Sequence, residues 1–393
     1  MKEKILVLNG TISEIPIINI AKEMGYYVVT TGNMPQLPGH KYADQYIAED
    51  YSDCDAILKL VKENEIKGII SCANDFGSIT ASYVGEKMGW PGHDTYEVAK
   101  LIHHKDMFRE YFIRKGFPSP RVEIFHTKEE AIGYYDSVDY PVIVKASDLT
   151  GGKGIHQVNN RTEAESAIDN ALLLSRNKTV LMEEFIEGVQ QSIVVFLVDR
   201  RIYITSCSNI YCMKNPYLVQ AETYPATDFD LVEDKLREMI HIMADDLNLV
   251  DGILSFQYIV RDGVPYVIDM MRRCFGNETL LMADVRTGFP WEEAYIKASL
   301  GFRVDDIVFD KPKYLYCGHY GVMADENGIL EGWNIPEDFE NRVFKTTVNI
   351  HKGEKINNCV NDKIAHLYFY YDDIDRMNDD IIGINDRVKV VVK

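Results

Sequence analysis

The chain has 393 residues, 46% of them hydrophobic, and a formal net charge of -19. That length exceeds one typical core and predicts two or three domains of ordinary globular composition. The acidic balance and the lack of any basic run exclude a polyanionic partner such as nucleic acid, whose binding draws on clustered Lys and Arg, but stay compatible with a small ligand held by local positive charge. Seven scattered cysteines form no CxxC pair, and their odd number fits a reducing compartment, where they serve as buried small hydrophobes. Met1-Lys2-Glu3-Lys4 passes into an apolar run too short for a signal-peptide core, and no later run reaches the length of a membrane span. A cytoplasmic protein without membrane contact is the expectation.

From the N-terminus, apolar periodicity predicts strand 4–8, helix 17–24, strand 27–31, helix 55–64, strand 68–72 and helix 78–88. Such alternation implies a parallel sheet with helices on both faces. The first turn, Leu8-Asn9-Gly10-Thr11-Ile12-Ser13, lacks the G-x-G-x-x-G fingerprint, so a nicotinamide-dependent oxidoreductase is disfavoured. Either this turn or Ala73-Asn74-Asp75-Phe76-Gly77 holds a small substrate at the strand ends, or both are ordinary turns. A helix over 104–115 leads through Gly116-Phe117-Pro118-Ser119-Pro120 into a second unit: strand 122–125, helix 128–135, a hairpin, helix 163–174 and strand 180–184. Strands 192–198 and 202–207 follow, then an amphipathic segment 230–247 and a hairpin of 253–260 with 265–270, turned at Arg261-Asp262-Gly263. From about residue 305 the chain is strand-rich until its acidic end.

The most informative segment is the hairpin Val142-Ile143-Val144-Lys145-Ala146-Ser147-Asp148-Leu149-Thr150-Gly151-Gly152-Lys153-Gly154-Ile155. It sets one lysine at the end of an apolar strand and a second inside a glycine loop. Glycines reach positive φ and let main-chain N–H groups approach phosphate oxygens, while the lysines add point charges. It is no Walker A loop, because Gly154 and a strand-like Ile155-His156-Gln157-Val158 follow Lys153 where that motif needs Ser or Thr opening a helix. Farther on, Glu183-Glu184-Phe185-Ile186-Glu187-Gly188 places an apolar pair between acids, suited to lining an adenine pocket. Gln257 and Asp269 stand twelve residues apart on the two arms of a hairpin, where they can face one another. Oxygen ligands bridged by phosphates are what Mg²⁺ takes, and Arg272-Arg273 just beyond can neutralise charge on a transferring phosphoryl group.

These motifs, in this order, resemble the ATP-grasp superfamily over about residues 1 to 300, with a single synthetase unit of the carbamoyl phosphate synthetase large subunit as the nearest likeness. The supporting stretches are His104-Lys105-Asp106-Met107-Phe108-Arg109, Lys145 before the glycine loop, Glu183 to Ile186, Ser255-Phe256-Gln257-Tyr258, Asp269-Met270-Met271-Arg272-Arg273 and Tyr224-Pro225-Ala226-Thr227. The resemblance implies an α/β chain: a Rossmann-like parallel-sheet domain (1–104), an ATP-grasp fold of two α+β subdomains (105–304, flap about 118–185) and a small strand-rich C-terminal part (305–393). It implies an ATP-dependent carboxylate-amine or ammonia ligase acting through an acyl phosphate. ATP and Mg²⁺, with Mn²⁺ as an alternative, are the implied cofactors, a small carboxylate and an amine the substrates, and a homodimer an open option. The implied ATP-binding residues are Lys105, Lys145, Gly151, Gly152, Lys153, Gly154, Glu183, Glu184, Phe185, Ile186 and Gln190. Gln257 and Asp269 are the implied metal ligands, Arg273 and Lys145 the catalytic residues.

The chain departs from the family pattern at three points. Met271 stands where an asparagine oxygen usually meets the metal, Gln190 replaces a ribose-binding glutamate, and Asp269 is shorter than the usual glutamate. A thioether is a poor ligand for Mg²⁺, which leaves the second metal in question. The alternative is therefore an ATP-binding module with reduced or lost catalysis. Three further features have plainer readings. His103-His104 point in different directions on a helix and suit a structural role, the acidic run from Asp372 to Asp380 lacks EF-hand spacing and suits a solvated helix face, and Glu222 is more often a surface acid than a substrate contact.

Overall fold

The computed structural model describes residues 2–138, 141–149 and 151–393; Thr150 of the glycine loop lies outside the described residues. The N-terminal strands are β1 (Lys4–Leu8), β2 (Tyr27–Gly32), β3 (Gln45–Ala48) and β4 (Gly68–Ser71), a sheet of order β3-β2-β1-β4. All its pairings are parallel. Helices α1 (Ile15–Glu23), α2 (Cys54–Glu63) and α3 (Asp75–Met88) alternate with them. Strands buried on both faces, such as β1, read as continuous apolar runs, which is why this sheet was legible. Edge strand β3, four residues and half-buried, carries too little pattern to predict. The expected helix 104–115 is α5 (Lys105–Lys115), and a helix with no counterpart among the expected elements, α4 (Tyr96–His103), precedes it. His104 between them has extended backbone, φ -102° and ψ 121°, so the chain turns there and Lys105 opens a new helix.

A second sheet comprises β5 (Val122–Phe125), β6 (Val142–Ala146), β7 (Ile155–Val158) and β8 (Val180–Glu184) in order β5-β8-β6-β7, with helices α6 (Lys128–Tyr135) and α7 (Arg161–Leu174). All its pairings are antiparallel. Val142, Val144 and Ala146 pack with Ala164, Ile168 and Ala171 of α7 in one core. By the two-residue alternation of a strand, Ile143 and Lys145 then face the opposite side.

The largest sheet has eight strands. In chain order the remaining strands are β9 (Val189–Val198), β10 (Arg201–Tyr211), β11 (Ala221–Tyr224), β12 (Gly252–Arg261), β13 (Val264–Met271), β14 (Tyr316–Val322), β15 (Gly328–Asn334), β16 (Val343–Val348), β17 (Lys355–Ile356), β18 (Ala365–Tyr371) and β19 (Lys389–Val392). The eight run β13-β12-β9-β10-β11-β14-β18-β16, while β17-β15-β19 form a small sheet of their own. Three strands from beyond residue 305 thus extend the sheet that carries Gln257 and Asp269. Helix α8 (Glu233–Asp246) covers one face through Leu236, Met239, Ile240 and Met243, which share a core with Phe256 and Tyr258. Helices α9 (Leu280–Thr287) and α10 (Trp291–Ser299) join the large sheet to the N-terminal one in a core containing Ile5, Val7, Phe196 and Trp291. Among the described residues, no helix is long and apolar enough to cross a membrane.

The N-terminal unit is also tied down electrostatically. Arg272, just past β13, donates to both oxygens of Asp94 (2.8 and 3.2 Å) and to the carbonyls of Ile253 and Val250 (2.9 and 2.8 Å). Removing one member of such a buried pair leaves an uncompensated charge. Arg272→Met is expected to lower unfolding free energy by about 3–5 kcal/mol, measured by urea denaturation. Removal of the exposed Arg303 should change it by less than about 0.5 kcal/mol.

Candidate active site

The second sheet and the large sheet face each other across a cavity of about 590 Å³. Ile143, Lys145, Ile155 and Gln157 line one wall, Ser192, Gln257, Ile259 and Asp269 the other. The β12–β13 hairpin brings Gln257 and Asp269 into direct register, as the twelve-residue spacing suggested. Directly opposed residues hold their Cβ atoms about 4.5–5.5 Å apart on one face. The register then slips: Tyr258 pairs with Val267, leaving Ile268 as an extra residue. A bulge of this kind frees carbonyls from the ladder, and both Val267 O and Ile268 O accept from Arg109, at 2.5 and 3.1 Å.

Arg109 also holds Glu183, Nε to Oε1 at 2.8 Å and Nη2 to Oε2 at 3.1 Å. Lys145 Nζ reaches the same carboxylate at 2.7 Å. Glu183 was expected at the adenine hinge; its side chain instead sits between two cations, buried with them. Burial alone would raise its pKa, but Arg109 and Lys145 pull it down to about 2. Lys145 is held below the ordinary lysine value by burial, with Glu183 opposing.

Lys105, first residue of α5, sends Nζ to Leu149 O at 3.1 Å and to Asp269 Oδ1 at 3.5 Å. Its N–H donates to Ser147 O at 3.0 Å, fastening the helix start to the strand end that carries Lys145. Gly151, Gly152 and Gly154 have φ of 65°, 72° and 66°, which glycine adopts without strain. A Cβ on Gly152 would lie 2.6 Å from Tyr217 O. Gly151 and Gly152 line the cavity, whereas Gly154 is buried against Ala146 and Leu149. Lys153 is exposed and outside the lining, so the structure does not bring it to the other lysines.

Glu184, Phe185 and Ile186 form one end of the cavity. Glu184 pairs with Arg121 and Arg261, each at 3.1 Å. Gln190 lies beside Gln257, Nε2 to Oε1 at 3.5 Å. Met271 lines the cavity next to this group. At the other end, Arg273 Nε donates to Asp75 Oδ1 at 2.5 Å, and His103 Nδ1 stands 3.2 Å from the same oxygen. Burial opposes ionisation of Asp75, yet Arg273 and His103 hold its carboxyl far below the usual range. The Ala73 to Gly77 turn reaches the cavity through Ala73 and Asp75.

Sequence reasoning passed over three contributors. Arg109 was quoted in a motif without a role, Asp75 was weighed only as part of a turn, and Glu222 was discounted as a surface acid. Glu222 is buried, lines the cavity and accepts from Ser208 Oγ at 2.9 Å. No local signal marks it, because all four residues of β11 are buried and alternation does not single Glu222 out. The acidic terminal stretch behaves as expected of a helix face, with Asp373 accepting from Arg376 N at 2.8 Å.

A family model described as phosphoribosylglycinamide synthetase, ATP-grasp (A) domain, matches residues 103–211. The C-terminal section of the carbamoyl phosphate synthase large chain from Methanocaldococcus jannaschii is 23% identical over 75% of this chain and 51% of that protein. The chain therefore spans about half the length of this curated relative. Among solved structures, an L-amino acid ligase from Bacillus licheniformis superposes with a TM-score of 0.81 at 16% identity, covering 100% of this chain and 99% of that one. The biotin carboxylase domain dimer of Hydrogenobacter thermophilus 2-oxoglutarate carboxylase, in complex with MgADP and bicarbonate, gives 0.76 at 20% identity over 100% and 92%. These likenesses show the fold.

The charge on Glu183 sets a pH dependence. Its folded pKa lies below the unfolded value, so its stabilisation is present above about 4.5 and is lost as pH falls toward 2. Wild type is expected to lose roughly 3 kcal/mol over that interval through this group, and Glu183→Gln to lack that component. Urea unfolding at stepped pH checks it.

Proposed function

We propose that this chain, a member of the ATP-grasp superfamily, is an ATP-dependent ligase that joins a small carboxylate to an amine or to ammonia. The observation that carries the reading is the convergence of Lys105, Lys145, Gln257, Asp269 and Arg273 on one cavity between two sheets. The residues suit the groups they would hold. Gln257 and Asp269 present oxygen atoms, the donors a hard cation such as Mg²⁺, or Mn²⁺ in its place, takes; waters complete such a shell. Among the described residues, Lys105 and Lys145 meet carboxylates and a carbonyl, contacts that phosphate oxygens can take over.

When bound, Mg·ATP supplies the phosphoryl group that activates the carboxylate as an acyl phosphate. The chain's own work is positioning and charge compensation. Lys105 and Lys145 bind phosphates, and Gly151 to Gly154 cover them. Closure of that loop would bring in Lys153, which faces solvent in this conformation. Main-chain groups of Glu183 to Ile186 read the adenine edge, and Gln190 accepts a ribose hydroxyl. Arg273, oriented by Asp75, faces the charge that develops on the transferring group. Residues 105–304 carry this machinery, with 1–104 supplying Asp75. We place the protein in the cytoplasm, where its seven unpaired cysteines suit the reducing setting.

Met271 favours a second reading, nucleotide binding without turnover, because its thioether lines the cavity at a position where an oxygen would serve the metal better. An ADP-release screen of purified protein against amino acids, other small carboxylates, ammonium and simple amines separates the two. The ligase reading expects Mg²⁺-dependent ADP release with at least one pair and a fall of about 10²-fold or more in Lys145→Ala, with the far-UV circular dichroism unchanged. Undiminished turnover in that variant contradicts the assignment. ATP binding without ADP release for any pair supports the binding module.

A further inference from the structure

Past Gln257, the cavity-facing side of the large sheet continues as a row of polar side chains. Gln257 pairs with Ser192, Ser192 with Ser208, and Glu222 with His319. Oγ atoms of Ser192 and Ser208 are 2.7 Å apart, and Ser208 donates to Glu222 at 2.9 Å. Three strand spacings put Glu222 roughly 14 Å along the sheet from Gln257, at ~4.8 Å per strand. It therefore lies in the same cavity but away from the phosphate and metal positions.

The other buried or half-buried carboxylates of the lining are matched to cations. Glu183 has Arg109 and Lys145, Glu184 has Arg121 and Arg261, Asp75 has Arg273, and Asp269 has Lys105. Among the described residues, Glu222 is the buried cavity carboxylate with no Lys or Arg within 4.0 Å. Its nearest basic nitrogen is His319 Nδ1 at 3.7 Å, and burial keeps that imidazole neutral by lowering its pKa to about 3. Lys363 stands behind this group and spends Nζ on Val219 O at 2.5 Å. A buried carboxylate without a counter-charge is costly, and an incoming cation supplies what is missing.

We propose that Glu222 binds the amine substrate as its ammonium ion and accepts a proton from it. The inference rests on the ligase reading and names the residue that serves the second substrate. In the step, one ammonium N–H proton passes to the Glu222 carboxylate, leaving a neutral amine. Its lone pair forms the C–N bond to the acyl carbon as the bond from that carbon to the phosphate oxygen breaks, and the second proton departs with phosphate. The surroundings agree. Burial, opposed by Ser208, Lys363 and Tyr224, raises Glu222 to about 7, near the operating pH that suits a general base. The groups facing it are Ser208 on β10, Tyr224 on β11, His319 on β14, Lys363 before β18, and Cys212; His366 on β18 stacks on His319, ring centroids 5.5 Å apart.

Titration calorimetry of the full chain with methylammonium, ethanolammonium and glycinamide, at pH 6 and pH 8 in buffers of different ionisation enthalpy, tests this. Binding of an ATP analogue with Mg²⁺ is measured on the same samples. Wild type should bind at least one amine, releasing a proton at pH 6, where Glu222 is protonated, and little at pH 8. Glu222→Gln should weaken that binding at least tenfold and abolish the proton release, while still binding nucleotide. Equal amine affinity in both proteins, or no amine bound by a wild type that binds nucleotide, overturns the inference alone. A wild type that binds no nucleotide overturns the ligase reading and the inference together.

Discussion

One buried carboxylate, Glu183, organises the site. It sits on β8 and is shared by Arg109 of α5 and Lys145 of β6. Arg109 reaches on to the carbonyls of Val267 and Ile268 at the bulge in β13. Two sheets, a helix start and the irregular strand carrying Asp269 are thereby fixed around a single charge. Deleting one cation leaves Glu183 with the other, whereas deleting Glu183 would leave both cations without their shared carboxylate in a low-dielectric interior.

The same economy of charge runs through the cavity. Lys105 rests on Asp269, Lys145 on Glu183 and Arg273 on Asp75, so each of these cations has a carboxylate partner. A net charge of -19 over the whole chain does not prevent an anion from binding, because the local cations are buried and weakly screened. On the proposed reading, a phosphate would compete with a carboxylate already in place, and a metal on Asp269 would offset that exchange. Glu222, at the far end, stands outside this pairing, and that asymmetry separates the two ends of the cavity chemically.

Much of the fold was legible because strand and helix periods differ. The continuous apolar run of β1, the alternation of Val142, Val144 and Ala146 with Ile143 and Lys145, and the Arg261-Asp262-Gly263 turn each follow from local rules. The hairpin spacing of Gln257 and Asp269 was local enough to predict their register. What escaped was set by contacts distant in sequence. Glu183 and Arg109 are 74 residues apart, Asp75 and Arg273 198 apart, and nothing in either neighbourhood announces the other. Glu222 was misjudged because a lone acid between Ala221 and Thr223 carries no mark of burial until β14 closes over it. Helix α4 escaped because its eight residues are too short to carry a strong period of their own.

The most direct test of the central claim is a crystal structure of the chain with Mg²⁺ and a slowly hydrolysed ATP analogue. The account predicts the triphosphate against Lys105 and Lys145, with the metal on Asp269 and Gln257 and the adenine beside Phe185 and Ile186. A nucleotide bound outside the space between the two sheets, or a metal held without Asp269, would contradict it.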